Sequence, residues 1–117
     1  MARLTDPEIL TCYQNALANW RFLGFVDFTK LAQEWLQREL SGMLPRAFAE
    51  LLHRYVRGGG KIDQVVETRP EYTIYSHHYD LRPTVKGRVL YVETRLDYSD
   101  PTDPDDPVVT VVNIHDA

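Results

Sequence analysis

Apolar residues recur every three or four positions along the first half of the chain and every two along the second. Ile9, Tyr13, Ala16, Leu17 and Trp20 share one side of a helix. Thr5, Asp6, Pro7 and Glu8 precede that run with a capping residue, a proline for the first turn and a glutamate three places after the threonine. Phe28, Leu31, Ala32, Trp35 and Leu36 mark a second helix that begins near Asp27 and stops near Ser41 and Gly42. Pro45 opens a third, with Phe48, Leu51, Leu52, Tyr55 and Val56 as its apolar stripe and Arg46, Glu50 and Arg54 as an outer ion-pair ladder. Gly58, Gly59 and Gly60 end it.

From residue 61 the period is two. Residues 61–69, 72–82, 88–98 and 108–115 read as strands, with Pro70 marking the first turn. Residues 99–107 hold three prolines and four aspartates and read as a solvated, mobile loop. Short links between the first three strands favour an antiparallel meander. The pattern predicts an α+β protein, with three N-terminal helices packed on one face of a four-stranded antiparallel sheet. It forms a single domain over residues 1–117, with a helical half at 1–57 and a sheet half at 61–115. Trp20, Trp35, Phe48, Leu51, Leu52, Leu81, Leu90, Val92 and Val112 occupy stripe positions and are the expected core.

The second and third strands form the most informative segment. A turn centred on Lys86 and Gly87 sets Leu81 opposite Val92, Tyr79 opposite Thr94 and His77 opposite Leu96, a face fit for a core. The other face then carries Arg82 opposite Tyr91, Asp80 opposite Glu93 and His78 opposite Arg95. A slip of one residue would mix the two faces. Like charges side by side push one carboxyl pKa up, which suits a general base. Paired arginines can hold a phosphate through forked hydrogen bonds, and a histidine can carry a proton near neutral pH. The plainer reading of the same pattern is a solvated sheet face whose arginines neutralise its acids.

Charge narrows the choice of ligands. The net charge of −4 is unevenly placed: residues 1–56 hold six basic and six acidic side chains, residues 57–95 seven and five, and residues 96–117 none and six. A general polyanion binder carries a larger basic excess, so only a local patch on residues 57–95 is available to an anion. Cys12 is the only cysteine, which excludes an internal disulfide and fits a cytoplasmic protein. The opening residues lack the plan of a signal peptide, and no apolar run is long enough to span a membrane.

Other motifs carry less. His77 and His78 point to opposite faces of a strand and cannot share an ion, so no metal site and no cofactor are expected. The glycines at 58–60 followed by Lys61 join a helix to a strand, the reverse of a phosphate loop. The acidic run near residue 100 lacks the glycine and terminal glutamate of a calcium loop. The second and third helices lack the spacing and basic face of a DNA-reading pair. His53 and His115 are proton carriers only if they fold back towards the hairpin.

The order of elements, RYVRGGGKIDQVVETRPEY leading into strands, then GRVLYVETRL, then VVTVVNIH, resembles small toxin-like nucleases of the RelE-like and barnase–colicin–RelE group over residues 44–117. What the resemblance implies is an antiparallel sheet whose open face holds RNA and cleaves it without metal. Arg69, Arg82 and Arg95 fall where such proteins carry basic side chains, and His53 with Arg57 echoes a helix-borne His and Arg. The last strand ends in Asn113, Ile114 and His115 rather than a RelE-like tyrosine segment.

Two function classes follow. The first is a metal-independent ribonuclease or degenerate relative, with Arg82 and Arg95 clamping the scissile phosphate and His78 or Glu93 as base. Tyr91 would be a stacking platform, with Asp80, Arg69 and His115 along the substrate. The second is a non-catalytic module that binds a protein partner through the polar sheet face or the exposed edge of the last strand.

Overall fold

A computed structural model describes residues 2–72, 74–98 and 107–117, without the side chains of Ala2 and Tyr98. The expected loop at 99–106 lies outside the described residues. Strand β1 (Ala2–Arg3) precedes helix α1 (Pro7–Ala18), and strand β2 (Val26–Phe28) separates α1 from α2 (Lys30–Glu39). Helix α3 (Pro45–Arg57) follows, then β3 (Ile62–Val66), β4 (His77–Leu81), β5 (Thr84–Val85), β6 (Arg88–Tyr98) and β7 (Pro107–Asp116).

The helices start where capping chemistry allows. Asp6 accepts from the amides of Glu8 and Ile9 at the start of α1, and Thr29 accepts from that of Ala32 at the start of α2. Their buried stripes, Tyr13, Ala16 and Leu17, then Ala32, Trp35 and Leu36, then Phe48, Ala49, Leu52 and Val56, keep the expected spacing. Of the nine expected core residues, Trp20, Leu51 and Val112 are only half-buried.

The sheet is larger than four strands and not wholly antiparallel. Its order is β1-β3-β4-β6-β7-β2, with β5 paired to β6 off that path, and β2 runs parallel to β7. This overturns the expected four-stranded antiparallel sheet. Val26–Phe28 has too few residues to show alternation, and Phe28 falls in helical register with the residues after it, so the segment reads as helix. Only its pairing with Val109, Thr110 and Val111, far along the chain, makes it a strand. That pairing also covers the edge of β7, which is therefore not the exposed edge expected for partner binding.

The hairpin has the expected register. Tyr79, Asp80 and Leu81 lie opposite Thr94, Glu93 and Val92, and Thr84 and Val85 opposite Val89 and Arg88. Lys86 and Gly87 both have positive φ, 52° and 78°, as a two-residue turn matched to strand twist requires. One face of the sheet, with Tyr79, Leu81, Leu90, Val92, Val109, Val111 and Ile114, joins the helical stripes in a single core. Thr94 is satisfied there, bonded to the Tyr13 hydroxyl at 2.7 Å and donating to the Tyr79 carbonyl at 2.6 Å.

A bulge keeps β7 facing that core. Pairing runs from Leu90 with Asp116 to Glu93 with Asn113, then resumes at Thr94 with Val111, leaving Val112 unpaired. Ile114 and Val111 can then both face inwards despite their odd spacing, and Val112 is turned out of the expected core. The Thr29 hydroxyl donates to the freed Val112 carbonyl at 2.7 Å, tying the start of α2 to the bulge.

Leu52 is fully buried and Leu31 on α2 is exposed. Leu52→Ala is expected to lower unfolding free energy by about 2–5 kcal/mol, and Leu31→Ala to change it by less than about 0.5 kcal/mol. Urea unfolding followed by circular dichroism measures both, and equal effects would contradict this packing.

Candidate functional site

The sheet face turned away from the helices carries a row of acids. Asp63 on β3 lies opposite Asp80 on β4, and Asp80 lies opposite Glu93 on β6, so three carboxylates sit side by side across three strands. Neighbouring side chains on such a row are about 5 Å apart, and like charges there repel. Each acid has its own answer. Arg82 pairs with Asp63 at 2.7 Å. Arg69 and Arg95 both bond Glu93. Asp80 takes His78 and Tyr91.

This face is not the open surface that the alternation suggests. The connection between β3 and β4 curls over it instead of continuing as a strand from residue 72. Glu67 bonds Ser76 through backbone, and a short 3₁₀ turn at Pro70–Tyr72 carries Arg69, Tyr72 and Tyr75 back onto β6. Arg95 is consequently only 2% exposed and Glu93 5%. The Arg95 guanidinium lies over the Tyr72 ring at 3.9 Å and the Tyr75 ring at 5.0 Å, and bonds Glu67 at 2.8 Å. Arg69 holds both Glu67, at 2.9 Å, and Glu93. Two arginines and two glutamates thus form an ion cluster of balanced charge, buried at Glu93 and Arg95 and reaching the surface at Arg69.

The expected clamp of Arg82 with Arg95 therefore does not form on an exposed face, because Arg95 is buried beneath the Tyr72 and Tyr75 rings with Nη2 on two glutamates. Glu93 as a base is likewise buried in its ion pairs, whereas Arg69 is bound to Glu67 and Glu93 with its side chain still 39% exposed. Hydrogen bonds from Arg69 hold the Glu67 carboxyl far below the ordinary value. Glu67, Tyr72 and Tyr75 were not singled out in the sequence; the only hint is that Glu67 and Arg69 come just before Pro70, where the period-two pattern lapses.

The rest of the face is centred on Asp80. Asp80 is fully buried, with Oδ1 2.7 Å from His78 Nδ1 and Oδ2 accepting from the Tyr91 hydroxyl. An ionised carboxylate can only accept, so against it His78 donates through Nδ1, and a neutral imidazole held in this way presents Nε2 as an acceptor. Burial and the bond to Asp80 hold the Tyr91 phenol above its ordinary value, so it stays a donor. Tyr91 is not a free stacking platform: its ring stacks on His115 at 4.7 Å, and Arg82 lies 5.5 Å from its centre. His115 and Arg82 are the exposed members of the group.

Of the eight expected site residues, His78, Asp80, Tyr91, Arg82 and His115 come together, and Glu93, Arg95 and Arg69 form the neighbouring ion cluster. His53 lies on α3, on the helical side. No group of three or more His, Cys, Asp or Glu among the described residues is placed to hold a metal ion. No described helix is long and apolar enough to cross a membrane. No protein-family model, no curated protein and no solved structure matches the chain.

Removing one partner from a buried ion cluster strands the others, so Arg95→Met is expected to destabilise by about 3–5 kcal/mol. Acid should act on the same cluster. Glu67 binds its proton less readily when folded than at its ordinary value of 4.5, so the unfolded chain takes up more protons as pH falls. This contribution is complete above that value and is lost progressively below it. Urea midpoints across the acid range should show a loss that Glu67→Gln reduces; an identical pH slope in the variant would count against the cluster.

Proposed function

We propose that the open part of this sheet face is a metal-independent ribonuclease site, with His78 as the proton acceptor. One observation carries the reading: a fully buried aspartate holds His78 by Nδ1 while a tyrosine fixes its second oxygen. A base oriented by a buried acid is the recurring geometry of proton transfer in hydrolysis. Among the described residues His78 hydrogen-bonds only Asp80, with no serine, threonine or cysteine on it as nucleophile. A substrate that brings its own nucleophile fits this arrangement, and RNA does so through its 2′-hydroxyl. His78 Nε2 would take the 2′-hydroxyl proton as that oxygen bonds to the neighbouring phosphorus, the P–O5′ bond breaks to leave a 2′,3′-cyclic phosphate, and the departing 5′ oxygen takes a proton from His115 or water. Arg82, paired with Asp63 and 39% exposed along its side chain, reaches the surface, where its charge can meet the phosphate. His115, exposed and stacked on Tyr91, offers a flat surface to a base and a second proton carrier. Glu93, Arg95 and Arg69 serve as the wall of the site rather than its reagents.

Purified protein incubated with single-stranded RNA and a chelator is expected to cleave it. His78→Gln should slow cleavage by about 100-fold or more, with the fold intact by circular dichroism. Arg82→Gln should weaken binding and flatten its salt dependence. Intact RNA after prolonged incubation, or cleavage indifferent to His78→Gln, would remove this reading and leave the face as a surface for a protein partner.

A further inference from the structure

The helical side holds a second concentration of chemistry. The end of α1, the residues after it and the outer side of α3 enclose a cavity of about 360 Å³ lined by Trp20, Arg21, Phe22, His53, Arg54 and Arg57. One carboxylate, Glu50, faces these cations, and it is already engaged by Arg54 at 2.7 Å. Among the described residues Arg21, Arg46 and Arg57 form no ion pair, whereas Arg38, Arg69, Arg82, Arg88 and Arg95 all do. Arg21 and Arg46 both lie against Trp20, 5.3 and 5.8 Å from its ring centre, and Arg46 donates to the Arg21 carbonyl at 3.0 Å. An acidic chain of net charge −4 therefore gathers uncompensated positive charge at one place. His53 reports the same field: burial, then Arg57, Arg21 and Arg54, lower its pKa, and Glu50 opposes them only weakly.

We propose that this cavity binds a terminal phosphate, that of a free nucleotide or of a 5′-phosphorylated RNA end, between Arg21, Arg57 and His53. Guanidinium forks match the oxygens of a phosphate, and an anion there relieves the repulsion among the cations. Phe22, 64% exposed, presents a ring on which a base can stack. Through Trp20, Arg21 and Phe22 the cavity adjoins another of about 530 Å³ that includes Leu23 and Leu44, which gives room for the body of the ligand. Volumes of this order suit a small molecule or a chain end. The site lies on the opposite side of the sheet from His78, so it stands or falls apart from the ribonuclease reading.

The test is nuclear magnetic resonance of the whole chain, following the Trp20 indole and the His53 ring. The titrants are inorganic phosphate, adenosine monophosphate, adenosine, and an oligoribonucleotide with and without a 5′-phosphate. Phosphate and the monophosphate should shift both signals and move His53 titration to higher pH, because the anion offsets Arg21, Arg54 and Arg57. Arg21→Gln and Arg57→Gln should each weaken binding on the order of 10-fold, and Arg38→Gln, which lines neither cavity, should leave it unchanged. Both arginines are exposed, so the variants should fold. Binding of the phosphorylated oligonucleotide as tight as the monophosphate identifies an RNA end as ligand; binding of the monophosphate alone identifies a free nucleotide. No shift with phosphate or monophosphate, shifts that survive loss of both arginines, or equal binding of adenosine and its monophosphate would overturn the proposal.

Discussion

Three carboxylates abreast on one sheet face are the constraint from which the rest of this structure follows. Asp63, Asp80 and Glu93 are set side by side by strand register, and Asp80 and Glu93 are buried. Charges cannot be left so close and so dry without partners. Every unusual feature nearby supplies one: Arg82 for Asp63, His78 and Tyr91 for Asp80, Arg69 and Arg95 for Glu93. The curl of the β3–β4 connection has the same origin, since it brings Arg69 to Glu93 and roofs Arg95 with Tyr72 and Tyr75.

The partners divide the face by the kind of neutralisation they give. Guanidinium groups stay charged, so Glu67, Arg69, Glu93 and Arg95 form a permanent ionic cluster that fixes shape. Asp80 is held instead by an imidazole and a phenol, His78 through Nδ1 and Tyr91 through its hydroxyl. The arginine cluster stands beside this group and is joined to it by the strand that carries Tyr91, Glu93 and Arg95.

The helical side shows the complementary case. There the acids are too few: Glu50 serves Arg54, Arg21 and Arg46 lie against the Trp20 ring, and Arg57 forms no ion pair among the described residues. The sheet face resolves its charge internally, whereas the helical side leaves charge for something outside the chain to resolve. The core between them, knitted by Tyr13, Thr94 and the bulge at Val112, keeps the two surfaces on opposite sides of one sheet.

The sequence by itself determined the three helical stripes, the hairpin register and the residues that share the polar face. Those depend on local periodicity and on one turn, Lys86 with Gly87, whose consequences propagate along both strands. It placed His78, Asp80 and Tyr91 on one face for the same reason. Tertiary structure alone decided that Val26–Phe28 is a strand, because three residues acquire that identity only by pairing with β7. It alone decided that Glu93 and Arg95 are buried, because what covers them arrives from a connection with no period of its own. Alternation tells which side chains point together; whether that side meets water depends on what folds across it, which is a non-local fact.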